Sequence, residues 1–285
     1  MNNFETQLNE ARNFFEQQKF SEASEEYFKA LKLSPGDPEK GIVWAELSWV
    51  FYQLKEYERS IEAAENTLQF TLEYEAKDAL FRIMGYCYSA LSEQHKAIEY
   101  LEKSLAIERD SAEQQMAAFE LIKINFHLQR YVEAEQLISD VENYFYQNEK
   151  AYWLTLLFFK GFVHYYLDQF DKSENIFEEL LENSEDDLHK ATAMFGLAFV
   201  SFSRKDYVKT INLCETVTKN DPAFFDMEAV GFLTAASFDY LGRHDVFEKY
   251  YFELKKKYPQ GRFMAQLDQL YKGGNGKGIP VKESE

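Results

Sequence analysis

The sequence contains few residues that interrupt helices. It has only five prolines, and four of its twelve glycines lie together between Gly273 and Gly278. Proline and glycine are the residues least compatible with a helix interior, so their scarcity favours long helices. No alternating run rich in valine and threonine is long enough to predict a sheet. The sequence therefore predicts an all-α protein.

Basic residues, cysteines and long apolar runs are also scarce. The 31 lysines and arginines face 49 acidic residues, giving a net charge of −18. Nucleic acids and anionic membranes require basic patches, so we expect neither as a partner. The two cysteines lie far apart in the sequence, and we expect reduced, buried thiols. The longest apolar stretch, near Ala193–Phe202, is too short to span a bilayer, and no signal peptide is visible. These features predict a cytoplasmic protein without a membrane segment.

What the sequence does contain is a repeat. Equivalent residues start seven units with spacings of 37, 37, 37, 39, 37 and 37 residues: Phe4, Gly41, Asp78, Gln115, Leu154, Ala191 and Glu228. A fixed period of this size indicates a solenoid, in which each unit buries its apolar face against its neighbours. Pro35, Pro222 and Pro259 fall at the same place in three units, after the second helix.

Two positions of each unit predict where a pair of helices crosses, because short side chains allow close approach of two backbones. The eighth position holds Ala11, Ser48, Gly85, Ile122, Gly161, Ala198 and Ala235. The twentieth holds Ala23, Ser60, Ala97, Ala134, Ser173, Thr210 and Phe247. Ile122 and Phe247 are the two large residues, and they predict looser or shifted packing in the fourth and seventh units.

This pattern resembles the tetratricopeptide repeat, of the bacterial type. The first unit carries the signature residues Ala11, Phe14, Ala23, Tyr27, Ala30 and Pro35, and the third is nearly as close, with Gly85, Tyr88, Ala97, Leu101 and Ser104. The resemblance implies an α-solenoid of about seven helix-turn-helix units, wound as a right-handed superhelix over residues 1–259. Residues 260–272 then predict an amphipathic capping helix, and residues 273–285 a flexible tail.

In proteins of this family the first helix of each unit lines a concave wall, with its fifth, ninth and twelfth positions facing inward. Thirteen of the 21 residues at these positions are aromatic here, although aromatic residues make up only 17% of the chain. The resemblance therefore suggests a ligand-binding groove. Its candidate residues are Phe15, Trp49, Tyr52, Arg82, Tyr86, Phe119, Lys123, Phe126, Phe158, Phe162, Tyr165, Phe195, Phe199 and Phe202.

Two interpretations of this aromatic lining are open. An exposed lining would exceed the largest apolar patch of an ordinary monomer and would bind a partner. Alternatively, the rings pack on one another between neighbouring first helices, and no groove is left.

Three cations interrupt the lining: Arg12, Arg82 and Lys123. In an acidic protein they can receive a carboxylate, from a peptide terminus or from an acidic side chain. The alternative is that they stack on rings such as Tyr86 or Phe126, or pair with Glu120. The carboxylate clamp of chaperone-binding family members is absent, because its places hold Leu8, Arg12, Glu46, Ala79 and Ile83.

No pattern of catalytic or metal-binding residues emerges. The five histidines are widely separated in the sequence without close pairing, and the glycines near Lys277 lack the spacing of a phosphate loop. We therefore expect no enzyme activity, metal or cofactor. The sequence predicts a protein–protein interaction scaffold that binds a peptide or partner segment. Two alternatives are a structural protein that assembles with its own copies and a regulatory receptor for short peptides.

Overall fold

A computed structural model describes residues 3–71, 74–108 and 111–273, and in these residues it has fifteen α-helices and no strand. Their bounds are α1 Asn3–Glu16, α2 Phe20–Leu33, α3 Asp37–Gln53, α4 Tyr57–Phe70, α5 Lys77–Ala90, α6 Gln94–Ile107, α7 Ala112–His127, α8 Tyr131–Asn148, α9 Lys150–Tyr166, α10 Phe170–Asn183, α11 Asp187–Ser203, α12 Tyr207–Asn220, α13 Met227–Tyr240, α14 His244–Lys257 and α15 Met264–Gly273. The all-α prediction is confirmed.

The chain divides into two compact units, Met1–Leu128 and Gln129–Glu285, called unit 1 and unit 2. Unit 1 contains α1 to α7, and unit 2 contains α8 to α15. The boundary falls inside the fourth repeat, after its first helix. In both units the helices pack in chain order, and the first helix of one hairpin also packs on the first helix of the next: α3 on α5, α5 on α7, α9 on α11 and α11 on α13. One side of each unit is therefore lined by first helices.

The helix crossings occur where the small residues predict them. Ser60 Oγ donates a hydrogen bond of 2.7 Å to the Ser48 carbonyl, and Ser173 Oγ donates one of 2.8 Å to the Gly161 carbonyl. Each bond joins the twentieth position to the eighth position of its own repeat. A Cβ built on Gly85 would lie 2.6 Å from Leu101 Cγ, closer than packed carbon atoms allow. Glycine is thus required there by close approach of the second helix.

Phe177 shows how hairpins of unit 2 stack on each other. This fully buried ring of α10 lies against Gly161 of α9 and Gly196 of α11, where an added Cβ would come within 2.5 and 2.3 Å of it. Two glycines on consecutive first helices therefore leave the space that one phenylalanine fills.

All seven turns inside the repeats use the same backbone geometry. The fifteenth residue of each repeat has a positive φ of 58–76°: Gln18, Lys55, Ser92, Gln129, Asp168, Lys205 and Gly242. In the second repeat, Lys55 N–H donates to the Tyr52 carbonyl and Glu56 N–H donates to the Phe51 carbonyl, the two bonds of a Schellman motif. Only the seventh turn uses glycine, the residue that adopts this conformation without steric cost. The other six hold it with ordinary side chains.

The predicted capping helix exists as α15, which packs on α13 and α14. It starts at Met264, four residues later than the sequence predicts, and buries Met264, Leu267 and Leu270. Tyr271 stacks on Tyr251 at 4.4 Å, although it is 42% exposed. The predicted tail lies outside the described residues from residue 274 onward. Among the described helices, none combines the length and apolar character that crossing a bilayer requires.

Candidate functional site

The candidate residues all lie on first helices, and we describe them separately for the two units. The unit 1 face is defined by Phe15 on α1, Trp49 and Tyr52 on α3, Arg82 and Tyr86 on α5, and Phe119, Lys123 and Phe126 on α7. The unit 2 face is defined by Phe158, Phe162 and Tyr165 on α9 and by Phe195, Phe199 and Phe202 on α11.

Most aromatic side chains of the unit 1 face are partly exposed. These are Phe15, Trp49, Tyr52, Tyr86 and Phe126, whereas Phe119 is buried. The ring centroids of Trp49 and Tyr52 are 6.3 Å apart, and those of Tyr52 and Tyr86 are 6.1 Å apart, so neighbouring rings touch along the face. Partial burial raises the pKa of Tyr52 above its ordinary value.

The unit 2 face has the same kinds of residue, but its rings are covered. Phe162, Tyr165, Phe195, Phe199 and Phe202 are all buried, and only Phe158 is partly exposed. The Phe162 ring is central: its centroid lies 5.0 Å from that of Phe158, 5.5 Å from Phe199 and 5.0 Å from Phe177. In unit 2 the rings therefore pack on one another, which is the second of the two interpretations that the sequence leaves open.

The segment between α12 and α13 adds two rings to the unit 2 face that the sequence does not predict there. Phe224 is buried with its centroid 5.0 Å from that of Phe195. Phe225 is 65% exposed, and its ring lies 5.9 Å from Phe195 and 6.1 Å from Phe158. Two adjacent aromatic residues in a short polar linker are the signal that could have indicated this contact.

Two of the three cations are neutralised by glutamates. Arg12 on α1 forms two hydrogen bonds from Nε to the Glu46 carboxylate on α3, at 2.9 and 3.1 Å, and a further one from its terminal nitrogen. The hydrogen bonds with Glu46 raise the pKa of Arg12. Lys123 Nζ lies 2.5 Å from Glu120 Oε2, and Ser89 Oγ donates to the other Glu120 oxygen at 2.7 Å. Glu120 is the pairing partner that one of the sequence alternatives names, whereas the role of Glu46 is not anticipated.

Arg82 differs from both. The residue is only 8% exposed, and its guanidinium carbon lies 5.7 Å from the Trp49 ring centroid, a cation–π contact. In the part of the chain that the structure describes, its side chain has no hydrogen bond and no ion pair. Arg82 and Lys123 are therefore not equivalent, because one cation is paired and the other is not.

Neither thiol is suited to nucleophilic chemistry. Burial raises the pKa of Cys87 to about 11 and that of Cys214 to about 12, and both are free and buried. Within residues 3–71, 74–108 and 111–273, no three His, Cys, Asp or Glu side chains are grouped closely enough to hold a metal ion.

The comparisons with known proteins agree with the geometry of the hairpins. Two family models, each described as tetratricopeptide repeat, match residues 8–81 and residues 83–111. These residues therefore consist of tetratricopeptide repeats. No curated protein matches it significantly.

Solved structures with the same fold cover almost all of the chain. A tetratricopeptide repeat protein from Parabacteroides merdae is 17% identical with a TM-score of 0.60, covering 95% of this chain and 98% of its own. The apo form of RapI is 19% identical with a TM-score of 0.56, covering 95% and 99%. YrrB, described as a tetratricopeptide repeat protein with an unusual peptide-binding site, is 14% identical with a TM-score of 0.56, covering 69% and 93%. At these identities the likeness shows the fold alone.

Proposed function

We propose that this tetratricopeptide repeat protein is a non-enzymatic scaffold that binds a peptide, or an extended segment of a partner protein, on the unit 1 face. The observation that carries this proposal is the partial exposure of Trp49, Tyr52 and Tyr86, which touch one another along α3 and α5. Such rings bury a large area at a small cost in side-chain entropy when a ligand covers them.

Two further points support binding rather than catalysis. Repeats of this family are generally interaction modules, and one structural relative, YrrB, is described as having a peptide-binding site. The two thiols also have raised pKa values, which disfavour the reactive thiolate. The unit 2 face supports a binding role less well, because its rings already contact one another.

A selection from a random heptapeptide display library tests the proposal. Binders selected on the native protein should lose at least about tenfold in affinity on a Trp49→Ala, Tyr86→Ala double variant, equivalent to about 1.4 kcal/mol. The matched control is Phe252→Ala, which removes a 54% exposed ring in α14 and should leave affinity unchanged. Equal affinity for the double variant and the native protein would contradict binding on the unit 1 face.

The oligomeric state separates this function from self-assembly. A scaffold with a free unit 1 face should have the 33.6 kDa mass of one chain in light scattering after size-exclusion chromatography. A mass that rises with concentration, and falls to one chain on Trp49→Ala with Tyr86→Ala, would instead indicate that copies of the chain occupy this face.

A further inference from the structure

Arg82 is a largely buried residue whose guanidinium has neither a hydrogen bond nor an ion pair within the described part of the chain, and the proposed scaffold function leaves this unexplained. Burying a guanidinium costs free energy unless a hydrogen-bonded anion or polar group compensates it. Arg82 is 8% exposed, and among the described residues only the Trp49 ring, at 5.7 Å, contacts its charge. A cation–π contact contributes about 0.5–2 kcal/mol, which compensates only part of that cost.

The other two cations at the lining positions of unit 1 each have a carboxylate partner, whereas Arg82 has none among the described residues. Arg12 is matched by Glu46, and Lys123 is matched by Glu120. Of these three cations, Arg82 alone lacks an ion pair within the described residues. A ligand that carries a single carboxylate would balance it, whereas a ligand with several negative charges would meet the acidic surface of a chain with net charge −18.

We infer that Arg82 is the binding site for one carboxylate of the peptide that occupies the unit 1 face, and that this carboxylate belongs to a Glu or Asp side chain flanked by apolar residues. This inference rests on the proposed function. The residue Arg82 is less exposed than Trp49 and Tyr86, and its guanidinium lies against the Trp49 ring. A carboxylate on a flexible side-chain stem can reach such a charge while the peptide backbone stays on the rings. A carboxyl terminus would have to bring the backbone itself inward.

The ion pair between Arg82 and the peptide carboxylate would be stronger than an ion pair on an exposed surface. A guanidinium offers a planar fork of donors that matches both oxygens of a carboxylate, and partial exclusion of water strengthens the attraction. The apolar neighbours of the acidic residue would cover Trp49, Tyr52 and Tyr86. The ligand class is thus an internal peptide segment that is mostly apolar and has one acidic side chain.

Two display libraries distinguish the source of the carboxylate. In the first, random heptapeptides are fused at both ends, so only side chains can supply a carboxylate. In the second, the peptides end in a free carboxyl terminus. We expect binders from the first library, with Glu or Asp enriched at one position. Binders that come only from the second library, or that contain no acidic residue, would overturn the inference.

Affinity measurements with one selected peptide and its Glu→Gln form test the contact itself. Arg82→Gln should weaken the native peptide by at least about tenfold, and the Gln form of the peptide should lose a similar factor on the native protein. On Arg82→Gln the Gln form should lose almost nothing further, since the two groups act as one pair. Arg82→Lys, which keeps the charge but not the fork, should recover part of the loss.

Arg59→Gln is the matched control, because Arg59 also lies over a ring in unit 1, that of Phe51 at 4.0 Å, but is 51% exposed and pairs with Glu56. It should leave the affinity unchanged. Without peptide, Arg82→Met should raise the melting temperature, since it removes an uncompensated buried charge. If the two losses add, or if Arg82→Gln binds as tightly as the native protein while Trp49→Ala does not, the inference fails and the scaffold function stands. If neither library yields a binder, both fail.

Discussion

The unit 1 face and the unit 2 face are built from the same positions of the same repeat, yet one leaves its rings partly exposed and the other buries them. On α9 and α11 of unit 2 both the fifth and ninth positions are phenylalanine, and these rings meet along one helix: Phe158 with Phe162 at 5.0 Å, and Phe195 with Phe199 at 4.9 Å. In unit 1 the fifth position next to Trp49 and Tyr86 is Ala45 or Arg82. The buried Phe162 ring has six other rings around it, whereas the partly exposed Trp49 ring lies against Tyr52 and the Arg82 guanidinium.

The largest expected effect of this difference is on stability. Phe162→Ala in unit 2 should lower the free energy of unfolding by about 3–5 kcal/mol, since the ring is buried among six others. Trp49→Ala in unit 1 should cost at most about 1.5 kcal/mol, because its ring is already partly in water. Urea unfolding of both variants measures the two costs. Equal costs would contradict the distinction between the faces.

Alkylation of the two cysteines shows which unit a substitution destabilises, because Cys87 lies in unit 1 and Cys214 in unit 2. Their raised pKa values leave little thiolate at pH 8, so alkylation requires local opening. Phe162→Ala should accelerate labelling of Cys214 more than that of Cys87. The opposite order would place the Phe162 ring outside the core of unit 2.

Substitutions at the helix crossings should cost a similar free energy of unfolding in the two units. The units would then differ in their faces and not in their crossings. Ala97→Leu in unit 1 and Ser173→Leu in unit 2 both place a large side chain at a fully buried crossing, and each should cost about 1–3 kcal/mol. Thermal unfolding measures both. An unchanged melting temperature for either variant would show that its twentieth position is not at the crossing.

A smaller effect is expected from the hydrogen bonds at the same crossings. Ser60→Ala and Ser173→Ala each remove a buried hydroxyl that donates to the carbonyl of the eighth position, and each should cost about 0.5–1.5 kcal/mol. Chemical denaturation of the two variants should give similar values. A large difference between them would mean that the units differ in their cores as well as in their faces.

The smallest expected effect is an increase in the free energy of unfolding, produced by a substitution at a turn. Lys55→Gly should raise the free energy of unfolding by up to about 1 kcal/mol, because Lys55 has a φ of 61° that glycine adopts without steric cost. Gly242→Ala, at the equivalent turn of unit 2, should lower it by a similar amount. If denaturant titrations give changes of opposite sign in the free energy of unfolding for the two variants, the two turns share one backbone geometry. A loss for Lys55→Gly would contradict it.

Much of the fold could be predicted from the sequence because its determinants are local and recur. Small residues such as Gly85 and Ala97 mark the crossings by their size alone, and the apolar spacing of Met264, Leu267 and Leu270 predicts the capping helix. The left-handed turns gave no such signal. Residues such as Gln18 and Lys55 are held there by the bonds of the helix end, although their own preference opposes it.

The site could be predicted only in part, because exposure and charge pairing depend on contacts between helices. An aromatic residue at the ninth position of its repeat is partly exposed in Tyr86 and buried in Phe199. Likewise, Arg12 and Arg82 are both arginines at lining positions, but within the described residues only Arg12 contacts a carboxylate, that of Glu46. Phe195 is covered by Phe224 from a linker about 29 residues further along the chain, so the sequence shows the aromatic pair in the linker but not which helix it covers.

The central claim is that the unit 1 face binds and the unit 2 face supports the fold. The most direct test is calorimetric titration of one selected heptapeptide into Trp49→Ala and Phe199→Ala, at a temperature where both variants remain folded. We predict that Trp49→Ala weakens binding at least about tenfold and that Phe199→Ala keeps the affinity within about threefold of the native value. Loss of binding in Phe199→Ala, with native affinity retained in Trp49→Ala, would contradict the account.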